Sequence, residues 1–114
     1  MRLAQRVIQR AVKIDDKPLT IDEILEKVCN HFNVSVSAVN GRSRKQDLVT
    51  ARQVSMYLAQ KYTKMPASRI GKLVGGRDHS TVIHSCSRIE QRLQVDSMFS
   101  NELMSIENSF KLKN

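Results

Sequence analysis

Every apolar stripe in this 114-residue chain recurs at intervals of three and four residues, and nowhere do apolar and polar residues alternate over a useful length. That period buries one face of a helix and gives a half-buried strand nothing to build on, so the expected fold class is all-α. Tryptophan is absent and aromatic residues make up 4% of the chain, which leaves the core to Leu, Ile, Val, Met and Ala. The length suits one domain, or one domain plus an appended helix. The core can then be large enough to need neither disulfide nor metal.

The breakers divide this pattern into segments. Residues 2–14 read as an amphipathic helix with Leu3, Val7, Ile8, Ala11 and Ile14 on one stripe and Arg2, Arg6, Arg10 and Lys13 off it. Pro18 disfavours helix at Lys17, so a boundary is expected there, between a linker helix (1–17) and a second unit (18–114). Thr20 and Glu23 form a capping-box pair at the start of a helix over 21–32, with Ile21, Ile24, Leu25, Val28 and Phe32 inward and Asn33 as its stop. Ser35 opens a short helical segment that Asn40-Gly41 closes. Residues 42–46 hold no apolar side chain and read as a basic loop. Asp47 is the expected cap of a helix over 48–63, with its stripe at Ala51, Val54, Leu58 and Tyr62. Pro66 suits the first turn of a helix over 66–74, with Ile70, Leu73 and Val74 apolar, and Gly75-Gly76 ends it. Asp78 should cap a helix over 79–94, with Val82, Ile83, Cys86, Ile89 and Leu93 inward and Ser80, His84, Ser87, Arg88 and Gln91 outward. A last helix, about 97–111, carries Met98, Leu103, Ile106 and Phe110.

The formal charge of +8 is concentrated. Residues 42–77 hold nine Lys/Arg against Asp47 alone, whereas the segments before and after come close to balance at +1 and −1. A basic block of this kind suggests a polyanionic partner, nucleic acid first and an acidic membrane surface second. The helix 2–14, with its apolar stripe flanked by arginines, is the feature that would serve the second. Cys29 and Cys86 lie far apart, so two buried thiols in a reducing compartment are expected. No apolar run reaches membrane-spanning length and no signal-peptide core is visible, which points to the cytoplasm. Catalytic patterns are missing: there is no phosphate loop, nucleophile elbow or paired carboxylate in an apolar setting. His84 and Cys86 match no closed zinc spacing. The reading is of a binding module, not an enzyme.

Two helices joined by a short glycine-containing turn make a helix-turn-helix, here 66–74, 75–78 and 79–94. The first residues of the second helix are those that meet base edges in the major groove: Asp78, His79, Ser80 and Thr81. Each is short and can hydrogen-bond. His79 can donate to guanine or to thymine O4, Asp78 can accept from a cytosine amine, and Thr81 can offer a hydroxyl or a methyl. In the basic loop, Arg44 and Lys45 are the residues chosen to enter a narrow minor groove, whose potential attracts arginine. Arg52, Lys61, Lys72 and Arg77 read as phosphate contacts, which position without specifying.

The run Gly75-Gly76-Arg77-Asp78-His79-Ser80-Thr81-Val82-Ile83-His84 resembles the signature of the C-terminal DNA-binding domain (domain IV) of bacterial DnaA replication initiators. The resemblance extends over about residues 18–112, including Thr20–Phe32, Arg42–Gln53 with its Arg52-Gln53 pair, and Lys72–Glu90. It implies a Trp-repressor-like helical fold that binds double-stranded DnaA boxes at the replication origin, with Arg44 in the minor groove, Asp78 to Thr81 reading the major groove, and Lys45, Arg52 and Gln53 on the backbone. It further implies that residues 1–14 join an ATPase domain and contact acidic phospholipid, and that regulatory proteins are further partners. ATP and magnesium would belong to that ATPase domain, so no cofactor is expected in this fragment. Two residue departures stand out. Ser80 replaces the usual threonine and lacks the methyl that would touch a thymine methyl. Ala67-Ser68 replaces a larger apolar residue and proline.

Overall fold

The computed structural model describes residues 19–111 as six helices, with no strand among the described residues: α1 (Ile21–Phe32), α2 (Val36–Val39), α3 (Gln46–Thr63), α4 (Ala67–Leu73), α5 (His79–Val95) and α6 (Ser97–Lys111). The expected helix 2–14 lies outside the described residues, as do the boundary at Lys17 and the proposed lipid contact. Both cysteines are buried and free, and burial pushes the Cys86 thiol up to about 11. No described helix is long and apolar enough to cross a membrane.

Local chemistry sets the helix ends. Thr20 Oγ1 accepts from the Glu23 N–H while Glu23 Oε1 accepts from the Thr20 N–H, so the capping box forms as read from sequence. Asn33 ends α1 in the left-handed region at φ 58°, and Ser35 caps α2 through the Ala38 N–H. Two helix starts differ from expectation. The helix expected at 48 begins at Gln46 with Lys45 as its N-cap, because Ser43 Oγ accepts from the Lys45 N–H and turns the chain early. Asp47 therefore sits in the first turn, where a carboxylate favours the helix dipole, and does not cap. Pro66 is the N-cap of α4, in extended backbone, and not its first helical residue; its carbonyl accepts from Arg69 and Ile70.

Helix α3 is the centre of the molecule and packs against α1, α2, α4 and α5. Its sequence suggests a single stripe, yet Leu48, Thr50, Ala51, Arg52, Val54, Ser55, Met56, Leu58 and Ala59 are all buried. Amphipathic patterning is weak in a helix surrounded by others. The buried Ser55 hydroxyl donates to the Ala51 carbonyl at 2.7 Å, which removes the cost of its burial. Tyr62 is half-buried and meets Phe110 edge-on, with ring centroids 5.5 Å apart.

Three apolar assignments change. Ile83 and Leu73 are exposed, and the inner face of α5 is Val82, Ser85, Cys86 and Ile89 with Leu93 half-buried. On α6 the inward residue is Phe99, 2% exposed, whereas Met98 is 79% exposed. The interval from Phe99 through Leu103 and Ile106 to Phe110 is a regular helical stripe, and Met98 stands one residue, about 100°, away from it. Asp96 fixes that register by accepting from the Phe99 N–H at 3.0 Å, and the Arg92 guanidinium covers the Phe99 ring at 4.0 Å.

The two neighbours should separate cleanly in urea unfolding. Phe99→Ala is expected to cost about 3–5 kcal/mol, the usual loss for a buried phenylalanine, and Met98→Ala less than about 0.5 kcal/mol. Equal losses would contradict the register of α6.

Candidate nucleic-acid interface

Helices α4 and α5 pack together across a turn at residues 74–78. Gly75 and Gly76 both adopt positive φ, 81° and 68°, which L-residues reach only at a cost. The Arg77 N–H then returns to the Gly71 carbonyl at 2.7 Å, pinning the turn to the last turn of α4. A β-carbon on Gly71 would collide with the Arg77 carbonyl oxygen, so the turn lies directly on the glycine backbone. Gly71 was not singled out from sequence. Its signal is its place: a glycine inside a helix is about 1 kcal/mol worse than alanine, and such a residue needs a packing reason.

The start of α5 is built as the sequence suggested. Asp78 Oδ1 accepts from the Thr81 N–H at 3.0 Å and caps the helix. That backbone bond holds the fully exposed Asp78 carboxyl below its ordinary range, with smaller help from the Thr81 and Ser80 hydroxyls. Asp78, His79, Ser80 and Thr81 are all exposed, as are His84, Ser87, Arg88 and Gln91 further along. The helix thus offers a polar outer face whose first turn combines a carboxylate, an imidazole and two hydroxyls. Among the described residues, no group of three His, Cys, Asp or Glu side chains could hold a metal.

The basic loop lies against this turn. Arg44 and Lys45 are exposed in it. The Arg77 guanidinium donates from Nη1 to the Val74 carbonyl at 2.8 Å and from Nη2 to the Gly41 carbonyl at 2.5 Å, joining the helix-turn-helix to the start of the loop. A β-carbon on Gly75 would collide with Arg77 Nη1 and approach the Asn40 carbonyl to 2.6 Å, so that glycine also opens the path the guanidinium takes.

The residues read as phosphate contacts divide by environment. Lys72 is exposed in the last turn of α4, and Gln53 is half-buried on α3. Arg52 is put to a different use. It is buried, with Nε donating to the Val39 carbonyl at 2.8 Å and Nη1 to the Ser43 carbonyl at 3.2 Å, and its Nη2 has no accessible surface. The sequence sees only a cation beside a basic loop; the fold folds the loop over it. Lys61 is drawn to α6, where its Nζ lies 2.7 Å from Glu107 Oε2, a bond that raises its pKa. Arg77 is half-buried, and burial followed by repulsion from Arg52 and Arg42 lowers its pKa.

Comparison with known proteins gives one consistent answer. Residues 21–89 match the family model described as the bacterial dnaA protein helix-turn-helix. Over 97% of its length the chain is 44% identical to the chromosomal replication initiator protein DnaA of Bacteroides thetaiotaomicron. It is 43% identical over 98% of its length to that of Bacteroides fragilis, and 38% identical over 87% to that of Porphyromonas gingivalis. The chain spans about a quarter of the length of these relatives, 24%, 24% and 21% respectively.

Two outcomes follow from the turn. Gly71→Ala should lower stability by about 1–3 kcal/mol or more, because the obstructing atom is backbone and cannot swing aside; thermal unfolding measures it, and an unchanged midpoint contradicts the close approach. The Asp78 cap should show in acid. A carboxyl with a depressed folded pKa stabilises above its unfolded pKa, near about 3.9, and that contribution is lost as pH falls through the folded value. The gap in urea midpoint between the wild type and Asp78→Ala is therefore expected to be steady at neutral pH and to narrow below about pH 4.

Proposed function

This chain belongs to the bacterial dnaA protein helix-turn-helix family, and from that premise we propose that it binds double-stranded DNA sequence-specifically at the DnaA boxes of a replication origin, in the initiation and regulation of chromosome replication. The observation that carries the reading is the joining of two exposed elements of different chemistry, the polar first turn of α5 and the basic loop that Arg77 ties to it. A helix start fits the major groove, and a flexible arginine on a neighbouring loop fits the minor groove beside it.

In this reading His79 makes the leading base contact and Asp78 accepts from a cytosine amine while still capping the helix. Thr81 is shared between phosphate and base, and Ser80 contributes a hydroxyl without a methyl. Arg44 enters the minor groove. Lys45, Lys72 and Gln53 face phosphates, and the helix dipole at the start of α5 adds its own attraction for an anion. Arg52 and Lys61, committed to carbonyls and to Glu107, are left out of the direct contacts. The module is a binder and not an enzyme, and it takes no cofactor of its own.

Fluorescence-anisotropy titration of a DnaA-box duplex and a scrambled duplex at matched salt tests the reading, and equal affinities would sink it. His79→Ala should cost roughly 1–3 kcal/mol of discrimination between the two, the worth of a good base contact, with little change on the scrambled duplex. Arg44→Ala should weaken binding and reduce the slope of log affinity against log salt by about one, since it removes one phosphate-neutralising charge. A slope that does not move contradicts the role given to Arg44.

A further inference from the structure

Arginine usually meets a carboxylate or a phosphate with its planar fork. In this chain two arginines spend theirs on backbone carbonyls, three of them in one short segment. Arg52 holds Val39 and Ser43, and Arg77 holds Val74 and Gly41. Four carbonyls are thereby gripped from two directions, one from the central helix α3 and one from the turn before α5. Three of the four, on Val39, Gly41 and Ser43, lie immediately before Arg44. The segment between them contains Asn40-Gly41 and no apolar residue after Val39, so packing alone would not hold it.

We infer that Arg77, with Arg52 behind it, is a positioning residue that fixes the offset between Arg44 and the first turn of α5, so that one rigid spacing meets both grooves of the duplex. The inference rests on the two-groove reading above. Neither guanidinium is bonded to a carboxylate among the described hydrogen bonds and ion pairs, and the Arg77 pKa is lowered first by burial and then by repulsion from Arg52 and Arg42. The clamp therefore orders the loop without cancelling its charge. A carboxylate at residue 77 or 52 could pair with arginine but would remove the field that attracts phosphate; a carbonyl grip keeps both. Gly75 belongs to the same device, because any side chain there would block the Arg77 guanidinium.

A charge-preserving variant separates positioning from contact. Lysine keeps the positive charge but cannot bridge two carbonyls with a planar fork. Arg77→Lys, Arg44→Ala and the double variant are titrated against the box duplex, with folding checked by circular dichroism and the salt slope measured for each. The clamp predicts that Arg77→Lys loses about as much affinity as Arg44→Ala, roughly tenfold each, and that the double variant is no more than about twofold worse than either, because the two act through one contact. Full retention of affinity by Arg77→Lys, or multiplicative losses in the double variant, would overturn the clamp while leaving the two-groove reading intact. No effect of Arg44→Ala would overturn both.

A second variant leaves Arg77 and Arg52 untouched. Two glycines inserted between Ser43 and Arg44 lengthen the loop beyond the clamp at little cost in stability. The expected result is the same tenfold loss as in Arg44→Ala, with the chain still folded by circular dichroism and the unfolding midpoint lowered only by the loss of the exposed Ser43–Lys45 bond. Unaltered affinity would show that the spacing does not matter and would overturn the inference.

Discussion

The Arg77 guanidinium, passing beneath Gly75 to reach the Gly41 carbonyl, is the contact on which the arrangement of this surface depends. It closes a path 36 residues long and brings a loop before α3 against the turn before α5. Each neighbouring feature serves it. The two glycines at positive φ bend the chain so that residue 77 points back. Gly71 lets the turn lie on α4, and the Arg77 N–H anchors it there. Arg52 holds the other side of the same loop from within the core. A charged group that is half-buried must be hydrogen-bonded to be tolerated, and these bonds are also what shape the surface.

Much of this was legible in the sequence. The capping box at Thr20 and Glu23, the stops at Asn33 and Gly75-Gly76, and the cap at Asp78 are short-range chemistry, and each formed where its residues predicted. The helix-turn-helix and its exposed first turn followed from them. Long-range geometry was less visible. Single-stripe reasoning missed the burial of α3 on several sides between Leu48 and Ala59, because a helix with neighbours on several sides has no single inner face. It chose Met98 over Phe99 because both are apolar and adjacent, and the deciding bond is from Asp96 to the Phe99 N–H. Charge counting took Arg52 and Lys61 for phosphate contacts; a positive residue in a basic block looks alike whether it faces solvent, a carbonyl or a glutamate three helices away. The family resemblance carried the expectation for Arg52 and Gln53 without showing which atoms were free.

The electrostatic design follows from those partners. The excess charge of the chain lies between Arg42 and Arg77, and that segment holds almost no acid to absorb it. Lys61 is paired with Glu107, whereas Arg52 and Arg77 donate only to backbone carbonyls, with Arg52 Nη2 buried and without a partner, and meet no carboxylate that would cancel their charge. Surface repulsion among them is the cost of the free protein, and an incoming phosphate would relieve it. In the proposed function, affinity then comes from the field of the whole segment, and specificity from the few exposed side chains at Arg44 and from Asp78 to Thr81 that the carbonyl grip holds in place.

In the proposed function, one rigid surface addresses both grooves of a single site. Dimethyl sulfate footprinting of a box duplex tests it directly, because the reagent methylates guanine N7 in the major groove and adenine N3 in the minor groove. Protection is expected at both kinds of atom within one box, with Arg44→Ala restoring adenine reactivity while guanine stays protected. Protection confined to one groove, or lost from both together in that variant, would contradict it.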